Sequence, residues 1–282
     1  MNNIIIPVAL VGVMGLAFAI VLTIASKVFF VKVDETVTNL RAELPGANCG
    51  GCGFAGCDDY AASLAADPEG VGVSKCPVGG AAVAAKLAEV LGMEVKEQEK
   101  NIAFVKCNGN CDAKKPLIEY QGLMSCAAAK QVYGGMNVCK FGCMGLGDCA
   151  AACQFGAISV CNGVATVNRE KCVGCGACAK ACPNGLIAIY PEKTKVAVQC
   201  SSTDKGAQVR KACSNGCIGC MKCEKTCKFD AIHVENNLAT IDYDKCKNCG
   251  MCAKACPVGA INNMRAKRKV EVAAPAEAAK EA

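Results

Sequence analysis

The chain is 282 residues long, carries a formal net charge of +6 at pH 7, and contains 26 cysteines but no tryptophan. This cysteine content excludes an ordinary globular domain and leaves two broad classes, a disulfide scaffold and a metal protein of the reducing cell interior. The modest positive charge suits either an acidic protein partner or a plainly soluble surface, and we expect no nucleic-acid partner.

The first feature in chain order is an apolar run without charge at residues 4–26. It is long enough for a transmembrane helix, and Lys27, Lys32 and Arg41 follow it, which places the remainder of the chain in the cytoplasm by the positive-inside rule. A cleaved signal peptide fits less well, because no basic residue precedes the run and the run exceeds a typical apolar signal core. We therefore predict a single-pass anchor in the inner (cytoplasmic) membrane, within residues 1–32.

A glycine-rich cysteine motif follows within residues 33–92. Its ligands would be Cys49, Cys52, Cys57 and Cys76, in the spacing C-x2-C-x4-C-x18-C. The intervening glycines let the backbone wrap closely around a cluster, and four thiolates are enough for one [4Fe–4S] cube. We predict a small four-cysteine cluster domain here.

Two runs of C-x2-C-x2-C-x3-C, each followed by proline, lie further along the chain. They comprise Cys172, Cys175, Cys178 and Cys182, and then Cys246, Cys249, Cys252 and Cys256. In this bacterial ferredoxin signature three cysteines hold one [4Fe–4S] cube and the fourth reaches a neighbouring cube. Zinc sites use pairs of C-x2-C instead, and disulfide scaffolds rarely contain such runs, so both are weaker alternatives.

An internal repeat with an offset of 74 residues relates these runs. It aligns Cys139, Cys143, Cys149 and Cys153 with Cys213, Cys217, Cys223 and Cys227. Between the motifs, alternating strands flank turns at Asn162-Gly163 and at Asn236-Asn237, which predicts a β-hairpin in each copy. We predict an α+β chain with two tandem two-cluster ferredoxin domains at residues 139–200 and 201–264.

Crossed ligation assigns most of the cysteines in the two domains. The predicted sets are Cys217, Cys220, Cys223 and Cys256; Cys246, Cys249, Cys252 and Cys227; and Cys172, Cys175, Cys178 and Cys153. The remaining set lacks one thiolate, because Leu146 stands where the repeat has Cys220. We favour Cys139 as the replacement; a three-iron cluster or an empty site are the alternatives.

Further cysteines lie in residues 93–138, interpreted as a linker region. Cys107, Cys111 and Cys126 form a group of three, which Cys200 or Cys213 could complete. With that set the count reaches six [4Fe–4S] clusters. Cys161 aligns with Glu235 on a hairpin strand and is interpreted as a plain buried thiol, and His233 as a surface residue.

The order of these motifs resembles that of the B subunit of the Rnf complex. The similarity covers the chain from the apolar run to about Ile261 and rests on LPGANCGGCGFAGC, CNGNC, KFGCMGLGDC and the ferredoxin motifs. It implies an electron-transfer subunit of a membrane-bound, Na+- or H+-translocating ferredoxin:NAD+ oxidoreductase. Such a subunit would accept electrons from reduced ferredoxin and pass them through its clusters to partner subunits. The N-terminal cysteine motif is also similar to one in corrinoid iron–sulfur proteins.

A polyferredoxin-type carrier of another reductase or hydrogenase is the alternative function, which the apolar start of the chain disfavours. No dinucleotide fingerprint or phosphate loop occurs, so NAD and flavin are expected on partner subunits, and no catalytic residue is predicted beyond the electron-transfer sites. Lysines near the motifs could steer an acidic ferredoxin or simply be solvated: Lys171, Lys180, Lys245, Lys247 and Lys254. Residues 265–282 are expected to be a disordered tail.

Overall fold

The computed structural model describes residues 2–28, 34–95 and 99–264. The tail predicted to be disordered, residues 265–282, lies outside them. Helix α1 spans Asn2–Val28, and its described large apolar side chains between Leu10 and Ile24 are exposed. Among the residues described, no helix meets the length and hydropathy required of a membrane span. The transmembrane helix predicted for residues 4–26 is therefore not confirmed.

Four helices form an N-terminal domain: α2 (Glu35–Glu43), α3 (Cys57–Ala66), α4 (Pro68–Val71) and α5 (Gly80–Leu91). Asp34 caps α2 by accepting a hydrogen bond from the Thr36 amide. The helices enclose a small core in which Leu40, Leu64 and Leu87 are fully buried. This core includes Cys57 and Cys76, so the predicted cluster ligands are part of the packing that holds the domain together.

In the described segment 99–264, eight short strands follow, each in a two-stranded antiparallel sheet. The strands are β1 (Asn101–Val105), β2 (Ile158–Cys161), β3 (Val164–Val167), β4 (Ile187–Pro191), β5 (Val196–Val198), β6 (Ile232–Glu235), β7 (Leu238–Ile241) and β8 (Ile261–Asn263). The pairs are β1–β4, β2–β3, β5–β8 and β6–β7. Between them lie six short helices: α6 (Cys126–Gln131), α7 (Asp148–Ala151), α8 (Ala177–Ala181), α9 (Gly206–Ala212), α10 (Lys222–Thr226) and α11 (Met251–Ala255).

The predicted hairpins are confirmed, and they obey the 74-residue offset. Ile158 pairs with Val167 in the first hairpin, as Ile232 pairs with Ile241 in the second. Both residues of each connecting turn have positive φ, with values of 48° and 71° in the first and 48° and 64° in the second. Two-residue turns of this kind match the twist of the flanking strands, which is why Asn and Gly occur there.

The pairing of β1 and β5 does not follow the predicted domain boundaries. β1 lies in the predicted linker region 93–138 yet pairs with β4, and β5 lies before the predicted boundary at residue 200 yet pairs with β8. We therefore define a first repeat unit as residues 99–191 and a second as residues 195–264. The cysteine spacing does not reveal this, because the segment between strand and motif is about twice as long in the first unit as in the second.

Candidate iron–sulfur sites

Each repeat unit has a cysteine-lined cavity at the same position in the repeat. The Cys153 cavity measures about 330 Å³ and is lined by Cys153, Cys172, Cys175 and Cys178. The Cys227 cavity measures about 340 Å³ and is lined by Cys227, Cys246, Cys249 and Cys252. The structure thus brings together two of the three complete sets that crossed ligation predicts. Their remaining lining is mainly apolar, as a site that excludes water requires.

Backbone amides point at the sulfurs of these cavities. The Ala157 amide donates to Cys153 Sγ at 3.3 Å, and the Ala231 amide, at the same place in the second unit, donates to Cys227 Sγ at 3.5 Å. Hydrogen bonds to ligand sulfur stabilise the thiolate and are one of the means by which a protein adjusts cluster potential. The agreement between the units indicates that this adjustment is part of the repeat.

The Cys126 cavity supplies the thiolate that is missing at Leu146. It measures about 400 Å³ and is lined by Cys126, Cys143, Cys149 and Cys182. Leu146 packs on the same small core as Cys126. Cys139, which the sequence analysis favours as the replacement, lines a different cavity. Sequence reasoning could count one spare cysteine against one vacancy, but nothing in the spacing distinguishes Cys126 from Cys139.

Asp148 holds Cys126 in this position. Its carboxylate accepts hydrogen bonds from the Ser125 hydroxyl at 3.0 Å and from the Cys126 and Ala127 amides at 2.8 and 3.0 Å. These donors form the N-terminal end of α6, where amides otherwise lack partners. Burial raises the pKa of Asp148, but the three hydrogen bonds outweigh it and keep the pKa below its ordinary value. Because Asp148 directly precedes Cys149, one loop positions two ligands.

The Cys200 cavity lies between the repeat units. It measures about 370 Å³, and its cysteines are Cys107 and Cys139 from the first unit and Cys200 and Cys213 from the second. The structure does not bring the predicted trio together: Cys107 lines this cavity, Cys126 lines the Cys126 cavity, and Cys111 lines neither. Cys111 is exposed and lies against the first hairpin, where its amide donates to the Asn162 carbonyl at 3.0 Å. The spacing of the cysteines could not predict that Cys111 lies against the turn at residues 162–163.

The second unit also contains the residues of one further predicted set, which we call the Cys220 set: Cys217, Cys220, Cys223 and Cys256. Cys217, Cys223 and Cys256 share the core of the unit, and α10 packs against α11. Burial raises the pKa of Cys223 to about 11, and the neighbouring Cys217 and Cys220 add to the shift. Cys220 itself is exposed. His233 is partly exposed beside Asp230 and Glu224.

The N-terminal site comprises Cys49, Cys52, Cys57 and Cys76. Cys57 begins α3, and its amide donates to the Asn48 side chain at 2.8 Å, while the Gly79 amide donates to Cys76 Sγ at 3.4 Å. The turn before α3 needs positive φ at Gly50 and Gly53, which a side chain would strain. Cys52, Cys57 and Cys76 meet in the core of the domain.

The thiols of Cys149, Cys178 and Cys252 favour the protonated form at neutral pH. Burial raises the pKa of Cys149 to about 12 and the pKa of Cys178 and Cys252 to about 11. Metal coordination must therefore displace protons. In the described part of the chain, no group of three or more Cys, His, Asp or Glu side chains is arranged to hold a single metal ion. A [4Fe–4S] cube places one thiolate on each of four irons, and the cavities fit this donor set.

This fold and these sites define an iron–sulfur protein that carries several clusters of bacterial ferredoxin type. Sequence profiles agree. A 4Fe-4S binding domain matches residues 165–188 and 239–262, a second 4Fe-4S binding domain matches residues 214–230, and a putative Fe-S cluster domain matches residues 44–78. The chain thus contains an N-terminal iron–sulfur domain and ferredoxin-type [4Fe–4S] domains.

Relatives extend the similarity over almost the whole chain. The B subunit of the Na(+)-translocating ferredoxin:NAD(+) oxidoreductase complex of Acetobacterium woodii is 46% identical over 93% of this chain and 78% of its own length. The corresponding B subunit of the ion-translocating oxidoreductase complex of Methanosarcina acetivorans is 45% identical over 90% and 96%. That of the proton-translocating ferredoxin:NAD(+) oxidoreductase complex of Clostridium ljungdahlii is 41% identical over 93% of each chain. The chain belongs to this family, the electron-transferring iron–sulfur B subunits of Rnf ferredoxin:NAD+ oxidoreductase complexes, which confirms the predicted resemblance.

Proposed function

We propose that this chain accepts electrons from reduced ferredoxin and delivers them to the other subunits of its membrane-bound complex through six [4Fe–4S] cubes. A bound cube supplies a one-electron redox centre whose potential depends on hydrogen bonds, charge and solvent exposure. The single observation that carries the proposal is the sorting of the cysteines into six sets of four. Only Cys111 and Cys161 stand outside these sets.

The sets are the N-terminal site, the Cys153, Cys126, Cys200 and Cys227 cavities, and the Cys220 set. Four of them are supported by cavities of similar volume, between about 330 and 400 Å³. The other two are supported by the spacing of their cysteines and by shared burial in one core. The two ferredoxin-type domains of the proposal correspond to the two repeat units, each with two sets of its own.

The Cys227 cavity is the proposed docking site for reduced ferredoxin. Cys249, one of its ligands, is exposed, and Lys247 lines the same cavity and is exposed as well. Lys245 and Lys254 lie nearby on the surface. Positive charge around a solvent-accessible redox site attracts an acidic protein and speeds its association. The cavity lies in the C-terminal unit, at the opposite end of the chain from the helix proposed below to attach it to the membrane.

The proposal is tested by reducing the anaerobically purified full chain with substoichiometric reduced ferredoxin. We expect iron and acid-labile sulfide at about four each per set, and rapid bleaching of visible absorption on mixing. The double variant Lys247→Glu/Lys254→Glu should lower the association rate constant about tenfold at low salt, and by less as ionic strength rises.

The double variant Arg210→Glu/Lys211→Glu is the matched control, since it reverses two exposed charges on α9 of the same unit, and neither residue lines the Cys227 cavity. It should leave the rate constant near that of the native chain. Equal effects of the two variants would contradict the docking site. Failure of reduced ferredoxin to bleach the native chain would contradict the proposed function itself.

Helix α1 is the proposed attachment to the membrane part of the complex. Its exposed apolar side chains, among them Val13, Leu16, Phe18 and Leu22, form a surface that is unfavourable in water and is typical of a contact with lipid or protein. A single membrane pass with the cluster-bearing part in the cytoplasm stays a prediction. Deleting residues 2–28 should move the chain from the membrane fraction to the soluble fraction with its iron retained, measured by immunoblot and iron analysis. A truncated chain that stays with the membrane would contradict this role of α1.

A further inference from the structure

We infer that the Cys200 cavity holds a [4Fe–4S] cube shared equally by the two repeat units, and that this cavity is the junction between the sites of the first unit and those of the second. The inference rests on the proposed electron-transfer function and deepens it. None of its four cysteines falls in a segment matched by the sequence profiles. The matched segments are residues 44–78, 165–188, 214–230 and 239–262.

The four cysteines form two equivalent pairs. Val105 of β1 pairs with Ile187, and Val198 of β5 pairs with Ile261. Ile187 and Ile261 are 74 residues apart, which is the offset of the repeat, so the ends of β1 and β5 are equivalent. Two residues beyond these ends lie Cys107 and Cys200. Cys139 and Cys213 are the second pair, and they also obey the offset. Each unit therefore contributes the same two cysteines.

Hydrogen bonds obey the same symmetry. The Cys143 amide donates to Cys107 Sγ at 3.4 Å, and the Cys217 amide donates to Cys200 Sγ at 3.3 Å. Cys143 lines the Cys126 cavity, and Cys217 belongs to the Cys220 set. Cys107 Sγ thus accepts a hydrogen bond from the backbone of a proposed ligand in the first unit. Cys200 Sγ accepts one from the equivalent residue in the second unit.

Hydrogen bonds between the two units hold the segments that line the cavity. The Lys115 amide donates to the Ala212 carbonyl, and the Ser214 amide donates to the Ala113 carbonyl, both at 3.0 Å. The Ser201 hydroxyl reaches the Lys106 carbonyl at 3.0 Å. These bonds fix the backbone beside Cys107, Cys200 and Cys213. Cys107 and Cys213 are buried and the other two ligands are half-buried, so the thiols face one another in a closed site.

The junction completes a row of neighbouring sites. Gly51 of the N-terminal domain packs against Cys175 of the Cys153 cavity, so closely that a Cβ atom would lie 2.9 Å from the Cys175 carbonyl oxygen. In α8, Cys178 lines the Cys153 cavity, and Cys182, one helical turn later, lines the Cys126 cavity. Gly142 lines both the Cys126 and Cys200 cavities.

The second unit continues this row in mirror order. The Cys220 set follows the junction through the bond between Cys217 and Cys200, and the Cys227 cavity follows through Cys252 and Cys256, which are spaced like Cys178 and Cys182. The order is therefore N-terminal site, Cys153 cavity, Cys126 cavity, Cys200 cavity, Cys220 set and Cys227 cavity. Removing the fourth site, the Cys200 cavity, would divide the row into two parts.

Iron analysis of paired variants tests the shared site. Cys107→Ala/Cys139→Ala and Cys200→Ala/Cys213→Ala remove the contribution of one unit each, and each should lose about four irons and four sulfides. The variant with all four substitutions should lose no more than either pair. A loss twice as large in the fourfold variant would overturn the inference, because the pairs would then belong to different clusters. Cys161→Ala, outside all sets, should lose none.

If a paired variant disturbs folding, single variants provide the test instead. Cys107→Ala and Cys200→Ala should change the same EPR signal, and their combination should change no second signal. Changes in two different signals would overturn the inference.

Reduction kinetics test the junction. With either pair removed, reduced ferredoxin that docks at the Cys227 cavity should rapidly reduce only that site and the Cys220 set. The amplitude of the fast phase should then fall to about a third of the native value, because two of the six native cubes remain connected to the docking site. Dithionite, which reaches sites from solvent, should still reduce the remaining clusters. An undiminished fast phase in a chain that lacks the junction iron would overturn the junction role. A native chain that ferredoxin cannot reduce would instead contradict the proposed function and leave the iron counts as the test of the shared site.

Discussion

Individual residues decide which thiolates share a site, and Leu146 is the clearest case. In the second unit the equivalent position is Cys220, which lies in the same short loop as Cys217. In the first unit that position is apolar, and Cys126 reaches the cavity from an inserted helix. The donor set is retained although its origin in the chain has changed.

A compensating substitution at this position should restore the set. Cys126→Ala should lose the signal of one cluster, and adding Leu146→Cys should recover it, because the repeat places a ligand there at Cys220. Iron analysis and EPR of the single and double variants measure this. Leu146→Cys alone should leave the iron content unchanged. A double variant no better than Cys126→Ala would contradict the equivalence of positions 146 and 220.

The sequence alone predicts ligands that lie close together in the chain or obey the repeat. Cys172, Cys175 and Cys178 lie within seven residues, so their spacing fixes their geometry, and the offset finds Cys153. Cys126 is not assignable in this way, because it lies in residues 106–138, where no periodic pattern specifies the path of the chain. Cys139 obeys the offset, but its equivalent Cys213 belongs to no motif that would assign either of them to a site. The position of Cys126 depends on tertiary hydrogen bonds, such as those of Asp148, which spacing does not encode.

At the scale of elements, α6 is a short helix whose position depends on one carboxylate. Six residues are too few for a stable isolated helix, so its start must be held by tertiary contacts. Asp148 provides them from the loop that also carries Cys149. The strands are equally short, and β1 escapes prediction for this reason: its five residues, inside a segment interpreted as a linker, gain their strand conformation from pairing with β4.

Asp148→Ala should therefore loosen one ligand without removing it. Loss of a helix N-cap of this kind costs about 1 kcal/mol, and we expect faster release of iron from the Cys126 cavity than from the other sites. The rate of iron release to a chelator, followed at neutral pH, measures the effect. Asp148→Asn keeps an acceptor oxygen and should lie between Asp148→Ala and the native chain. Uniform acceleration at all sites would argue for a general loss of stability.

For the whole molecule, the contacts between domains are as specific as those inside them. The N-terminal domain meets the first unit at Gly51, and the two units meet around the Cys200 cavity. Arg169 reinforces the second contact by donating to the Glu192 and Thr194 carbonyls in the segment that joins the units. The fold and family of this arrangement follow from the motifs, but the order of the sites does not, because it depends on which surfaces meet.

Gly51→Ala tests the first of these contacts. A Cβ atom there would lie 2.9 Å from both the Cys175 carbonyl oxygen and Pro77 Cγ, so the N-terminal domain must shift away from the Cys153 cavity. Iron content should stay the same, while electron transfer to the N-terminal site should slow, measured by freeze-quench EPR. Gly15→Ala in α1, where nothing lies within 4 Å, is the control and should have no effect. Unchanged kinetics in Gly51→Ala would contradict this point of contact.

The shared cavity between the repeat units also has a consequence for biosynthesis. Cys107 leaves the ribosome long before Cys213, so the sites of the N-terminal domain and of each unit can mature as soon as their own segment folds. The Cys200 cavity can mature only after both units have folded and docked, because neither holds more than two of its ligands. Iron at this position therefore records that assembly of the polypeptide is complete, and a chain arrested in synthesis or nicked between the units would carry every cluster set of its intact part except this one.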